Sequence, residues 1–322
     1  LLVALPSAPR LAHAQQLYTG SASLVAEEVD RMYVRAMQFL VRTQSPQGNW
    51  PDEPRSDEPA LNGLAVLSLL AHGDDPNFGP YSTTIHRGLD YILKAMDPKT
   101  GMISASMYNH GFATLALAES YGAVDDSRLG PALDKAVRLI IAAQRVNNFH
   151  AWRYSPESQD ADTTVSGAQM VALLAARNAG IAVPEEVIQN GIKFFLSCQT
   201  PEGGFGYISP VAPNGTRTAI GCVVLALAKE KNTAAFRSAF AFLKDAPPER
   251  AYPQYFLYYA SQAFFHGSPE AWQIWNRANI KVLRATQTPD GNWEGQLGST
   301  FSTSGSLLSL ALNYRYLPIY ER

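Results

Sequence analysis

Apolar residues run along this chain in two alternating patterns. In the first they recur every three or four positions with Arg, Lys and Glu between them. The clearest copies are RAMQFLVRTQSPQGNW (Arg35 to Trp50), GIKFFLSCQTPEGGFGY (Gly191 to Tyr207) and RANIKVLRATQTPDGNW (Arg277 to Trp293). Weaker copies are KAVRLIIAAQRVNNFHAW (Lys135 to Trp152), RGLDYILKAMDPKTGMI (from Arg87) and RSAFAFLKDAPPERAY (from Arg237). This spacing predicts amphipathic helices, each with one buried stripe. In the second pattern, as in LNGLAVLSLLAHG or TTVSGAQMVALLAARNAG, the residues are small or aliphatic nearly all round, as a helix enclosed on every side must be.

The two patterns alternate six times with a period of roughly fifty residues, which predicts twelve helices in six outer–inner pairs. The inner helices are expected to contain Leu64–Leu70, Phe112–Ala118, Val165–Ala176, Ala219–Ala228, Phe256–Phe264 and Ser304–Asn313. An open solenoid would need polar capping repeats at its ends. The end helices here are no more polar than the middle ones, so a closed ring is expected.

The breaks between paired helices share a chemistry. Pro46, Pro201 and Pro289 stop the outer helix. Gly48, Gly203 and Gly291 supply positive φ in the turn that follows. The amides of Gln44, Gln144, Gln199 and Gln287 are placed to satisfy backbone groups left over at the helix end. Trp50, Trp293 and Phe205 then plug the junction.

Composition narrows the function classes. With 322 residues, 46% of them hydrophobic, the chain can bury a large core. A net charge of −2 offers no basic field for nucleic acid, and no apolar run is long enough to span a membrane. The opening LLVALPSAPRLAHAQQ, with Ala12-His13-Ala14 as an A-x-A site, reads as the tail of a secretory signal, so export is expected. Residues 1–14 are then a leader, 15–28 an N-terminal extension and 29–322 the helical ring. Cys198 and Cys222 make no disulfide framework; they form either one bridge or a pair of buried thiols.

The stretch SPESQDADTTVSGAQM (Ser155 to Met170) sets Asp160 and Asp162 directly before an inner helix. Two readings stand: a helix cap, or a proton donor whose conjugate base is stabilised by the helix N-terminus.

The segments from Arg35 to Trp50 and from Arg277 to Trp293 resemble the QW repeats of squalene-hopene and oxidosqualene cyclases. Arg35, Ala36, Phe39, Leu40, Gln44, Gly48 and Trp50 fill the pattern in the first. Arg277, Ala278, Val282, Leu283, Gln287, Gly291 and Trp293 nearly do in the last. The resemblance implies an all-α fold, the α/α toroid shared by terpene cyclases and protein prenyltransferases. It also bears on Asp160-Ala161-Asp162-Thr163-Thr164, which is similar to the acid motif of class II terpene cyclases. Carried over, Asp162 becomes the acid and Asp160 its hydrogen-bonded support.

A carbocation needs excluded water and π faces nearby. Tyr108, His110, Trp152, Tyr255 and Phe301, near the same ends of the inner helices, are the candidates, with Arg217 available for an anionic group. The expected ligand is a small isoprenoid or other hydrophobic molecule, with peripheral membrane contact as a route to it. No cofactor is expected. The zinc of prenyltransferases needs an Asp-x-Cys that is absent, and His86, His110, His150 and His266 are dispersed. Thioester chemistry needs Gly-Cys-Gly-Glu-Gln where this chain has Gly221-Cys222-Val223-Val224.

Two other readings use the same ring. A polysaccharide-active enzyme would need paired carboxylates across a cleft, and Asp57, Glu58, Asp160 and Asp162 precede inner helices of different repeats. A non-catalytic scaffold would have a filled centre.

Overall fold

The computed structural model describes residues 27–51, 58–247 and 249–320. The expected leader at 1–14, most of the extension and Asp57 lie outside the described residues. Among those described, twelve α-helices and one short 3-10 turn form the chain, and β-pairing is limited to isolated bridges.

Six helices are amphipathic and lie outside: α1 (Glu27–Thr43), α3 (Ser82–Ala95), α5 (Leu129–Val146), α7 (Glu185–Ser197), α9 (Ala234–Asp245) and α11 (Pro269–Thr286). Six lie inside: α2 (Pro59–Leu70), α4 (Met107–Ser120), α6 (Thr163–Asn178), α8 (Gly215–Leu227), α10 (Pro253–Gly267) and α12 (Ser299–Ala311). All six expected inner segments fall in these helices, two of them overrunning the C-terminal end by a residue or two, as helix ends commonly do. Every residue of α2 is buried, and the inner helices pack in sequence from α2 round to α12, which packs back on α2. Small residues permit this closeness: a Cβ on Gly63 of α2 would meet the Phe112 carbonyl oxygen of α4 at 2.8 Å. The architecture is an α/α toroid.

Four outer helices, α1, α5, α7 and α11, end in a joint that grips the next outer helix. Trp50, Trp152 and Trp293 are buried, and their indole N–H groups donate to the carbonyls of Leu40 and Leu283 in the last turns of α1 and α11 and of Ile140 inside α5. Gln44 donates to Gly48 in its own turn and to Thr84 of α3. Gln199 does the same to Gly203 and to Ala235 of α9. Gly48 and Gly203, at φ 95° and 98°, lie so close to the neighbouring helix that a Cβ would meet the carbonyl oxygens of Arg87 and Ser238 at 2.2 and 2.4 Å.

The joint that closes the ring is built the same way. Gln287 donates to Gly291 and to Met32 of α1. Arg35 donates to the carbonyls of Thr288 and Pro289, and Arg284 pairs with Glu28 at 2.7 Å. Cys198 and Cys222 are both buried free thiols, and burial pushes the Cys198 thiol up to about 11.

Candidate functional site

The N-terminal ends of the inner helices surround a cavity of about 510 Å³. Its apolar wall comes from Ala60, Leu61 and Leu64 of α2, Phe112 of α4, Leu297 and Phe301. Five tyrosines complete it: Tyr108, Tyr154, Tyr207, Tyr252 and Tyr255. Glu58 is the one carboxylate on the wall among the described residues. Three further polar wall groups are committed to the protein. Ser106 caps α4 by accepting from the Tyr108 N–H, Asn109 accepts from the Ala60 N–H, and Thr164 donates to Asp162 at 2.6 Å.

Tyr108, Tyr255 and Phe301 are therefore brought together as the sequence suggested, with ring centroids 6.3 Å apart for Tyr108–Tyr255 and 6.5 Å for Tyr255–Phe301. Burial pushes the Tyr108 and Tyr255 hydroxyls well above the usual tyrosine range.

His110 and Trp152 are not on this wall. Tyr108 and Phe112 are four residues apart and share one helix face; His110, between them, faces the other way. It is fully buried, its Nδ1 accepting from the Ile103 N–H at 3.1 Å and its Nε2 donating to the Ala136 carbonyl at 3.1 Å. Burial pulls its pKa down to about 4. Trp152 is a joint plug. Arg217 lies beside the mouth, donating to the Ala212 carbonyl at 2.6 Å, with its guanidinium 6.0 Å from the Tyr207 ring.

Asp162 does not line the cavity; it is fully buried and is the N-cap of α6. Its Oδ1 accepts from the Thr164 N–H at 2.8 Å, the Val165 N–H at 2.9 Å and the Thr164 hydroxyl. Its Oδ2 accepts from Arg153 Nη1 at 3.2 Å. Asp160 is largely exposed and meets Arg153 Nε at 3.4 Å. Both acids thus hold one guanidinium, which lies 5.3 Å from the Tyr154 ring and 5.1 Å from the Tyr207 ring. The two tyrosine hydroxyls bond each other at 3.2 Å. The acids, the arginine and the two tyrosines form one unit that fixes a wall of the cavity.

Sequence reasoning did not find Arg153, Tyr154, Tyr207 or Tyr252. A signal existed for two of them: Trp152-x-Tyr154 and Phe205-x-Tyr207 each place a tyrosine two residues past the joint plug.

At the opposite end of the ring a second cavity of about 480 Å³ carries two carboxylates, Asp74 and Glu119. Asp74 pairs with His72 at 2.6 Å and Glu119 accepts from the Ile319 N–H. Among the described residues no three His, Cys, Asp or Glu side chains are grouped to hold a metal ion.

Solved structures similar in fold include proteins of two chemistries. The type II terpene cyclase MstE from Scytonema, a variant in complex with geranylgeranyl dihydroxybenzoate, is 14% identical with a TM-score of 0.60, over 90% of this chain and 98% of that one. An inactive variant of the α-1,6-mannanase GH76A of Salegentibacter sp. HEL1_6, in complex with α-1,6-mannotetrose, is 10% identical with a TM-score of 0.67, over 89% and 98%. A family 76 glycoside hydrolase from a bovine Bacteroides thetaiotaomicron strain is 9% identical with a TM-score of 0.68, over 90% and 78%. At these identities the likeness is one of fold. No curated protein matches the sequence. A family model matches residues 32–293, and the chain belongs to that family, described as a domain of unknown function, DUF6288.

Proposed function

We propose that the protein binds a small hydrophobic ligand of the isoprenoid kind in the cavity at the inner-helix N-termini, with Asp162 as a positioning residue. The observation that carries this is the cavity wall: leucine, phenylalanine and tyrosine faces, with Ser106, Asn109 and Thr164 already hydrogen-bonded to the protein. A volume near 510 Å³ suits a ligand of this size. The likeness to a cyclase that holds a geranylgeranyl compound is in keeping with it.

Protonation of an alkene by Asp162 would need a carboxyl aimed into the cavity. Here one oxygen accepts from three donors of α6 and the other from Arg153. Asp162 acts instead by holding Arg153, and through it Tyr154 and Tyr207.

The test is calorimetric titration of the purified protein with geranylgeraniol and, separately, with an α-1,6-mannotetraose, alongside product analysis. Saturable binding of the prenol and none of the sugar is expected. Binding of the sugar alone would overturn the reading. Cyclised product made by the wild type and lost in Asp162→Asn would return Asp162 to the acid's role.

A second reading, polysaccharide hydrolysis, is favoured by one observation, the pair Asp74 and Glu119 on the wall of the other cavity. It predicts sugar release that Asp74→Asn removes.

A further inference from the structure

Ser106 and Asn109, one turn apart at the start of α4, both lie on the wall of the tyrosine-lined cavity. Each is bonded to the protein through its acceptor alone. The Ser106 oxygen accepts from the Tyr108 N–H at 3.2 Å, and the Asn109 Oδ1 accepts from the Ala60 N–H of α2 at 3.1 Å. With Oδ1 turned to Ala60 the amide orientation is set, and Nδ2 points the other way. Among the described residues no acceptor meets Nδ2 or the Ser106 hydroxyl hydrogen. Asn109 is only 6% exposed, yet Nδ2 is not one of the enclosed, unpaired atoms of the chain, so the surface it keeps opens on the cavity. The tether to α2 does not explain an amide here. An aspartate would accept the same Ala60 N–H and would sit better still beside the N-termini of α2 and α4. What asparagine adds is two N–H donors.

We infer that Asn109 is the specificity-determining residue of the cavity: its Nδ2 donates to a neutral oxygen acceptor, a carbonyl, ether or hydroxyl, on an otherwise hydrophobic ligand. Ser106, one turn before it, offers a further donor on the same wall. Water can meet these donors while the cavity is open. A hydrocarbon seated against α4 displaces that water and leaves them unpaired, which is the costly case for a buried polar group. A ligand with an oxygen at that point restores the bond, so the site rejects the analogue that lacks it. The acceptor is neutral rather than anionic because Glu58, directly before α2, puts a carboxylate on the same wall. The inference rests on the hydrophobic-ligand reading and adds to it the ligand's one required polar atom.

Two probes of equal chain length separate the claims: geranylgeranyl methyl ether, whose oxygen accepts but cannot donate, and the corresponding hydrocarbon without oxygen. Calorimetry at pH 8 on the wild type, Asn109→Leu and Asn109→Asp is read together with melting temperatures. The wild type should bind the ether about tenfold more tightly than the hydrocarbon. Asn109→Leu removes both donors without adding a charge and should bring the two affinities together. Should that variant unfold for want of the Ala60 tether, Asn109→Asp keeps the tether; its ionised carboxylate has no proton to give, so it too should lose the preference. Equal binding of both probes by the wild type overturns the donor role and leaves the hydrophobic-ligand reading standing. Binding of neither overturns both. A preference for the ether that survives in either folded variant overturns the assignment to Asn109.

Discussion

The joints between paired helices and the mouth of the inner ring are built from the same material, large aromatic side chains that carry one polar atom, and they use it in opposite ways. At the joints that atom is satisfied: the indoles of Trp50, Trp152 and Trp293 each donate to a carbonyl of the outer helix just completed. At the mouth, the hydroxyls of Tyr255 and Tyr259 interact with each other, and Tyr255 with Tyr108, rather than with the backbone. The joint tryptophans are fully buried, while Tyr255 is only partly buried and lines the cavity. An aromatic whose polar atom bonds the backbone of a helix holds the ring together; one whose polar atom meets only other side chains leaves its ring to form a wall.

The contrast is broken most sharply at the joints. Trp50→Ala and Trp293→Ala should each cost about 3–5 kcal/mol, since a large buried side chain and its hydrogen bond are both removed. Urea unfolding measures this, and a loss below about 1 kcal/mol in both variants would mean that the joints do not hold the ring.

His110, satisfied and buried behind the mouth, should give the next largest effect, seen on acidification. Its folded pKa of about 4 lies below the ordinary 6.5. The unfolded chain therefore takes up a proton before the folded one does. Stability present above pH 6.5 is lost as pH falls from there to about 4, by about 3 kcal/mol. The decline in unfolding free energy from pH 7 to pH 4 should be larger in the wild type than in His110→Gln by about that amount. Equal declines would mean that the imidazole takes its proton in the folded state as easily as in the unfolded one.

The smallest effect belongs to the Asp162 unit. Asp162→Ala removes the cap and should cost about 0.5–2 kcal/mol. Asp162→Asn keeps an acceptor for the α6 amides and should cost less, while near-ultraviolet dichroism reports loosening of Tyr154 and Tyr207 in both. If the Asn variant is the less stable of the two, the charge on Arg153 outweighs the cap.

The ring could be read in the sequence because burial on all sides and burial on one side leave different periodicities. LNGLAVLSLLAHG cannot be an outer helix, and RANIKVLRATQTPDGNW cannot be an inner one. The joints could be read because proline, glycine and an aromatic each have one local job there. The mouth was only half legible. Tyr108, Tyr255 and Phe301 face it, but His110, two residues from Tyr108, does not. A shift of two positions in a helix turns a side chain to the opposite face, and a helix that is apolar all round gives no mark of which face looks inward. Arg153, Tyr154 and Tyr207 come from the irregular segments before α6 and α8, where no period constrains direction. The Asp160–Asp162 pair was conspicuous, but its partner Arg153 was not. Without Arg153 the two acids read as chemistry rather than as the anchor of a tyrosine wall.

The joint between α11 and α1 repeats the internal joints almost atom for atom, and that has a consequence for how the molecule comes apart. A row of stacked repeats can fray, because its outermost unit is held on one side only. In this ring every inner helix packs on an inner helix at either side, so releasing any one pair breaks two such contacts at once. Partial unfolding therefore has no cheap starting point, and the described helices should melt together as a single cooperative unit.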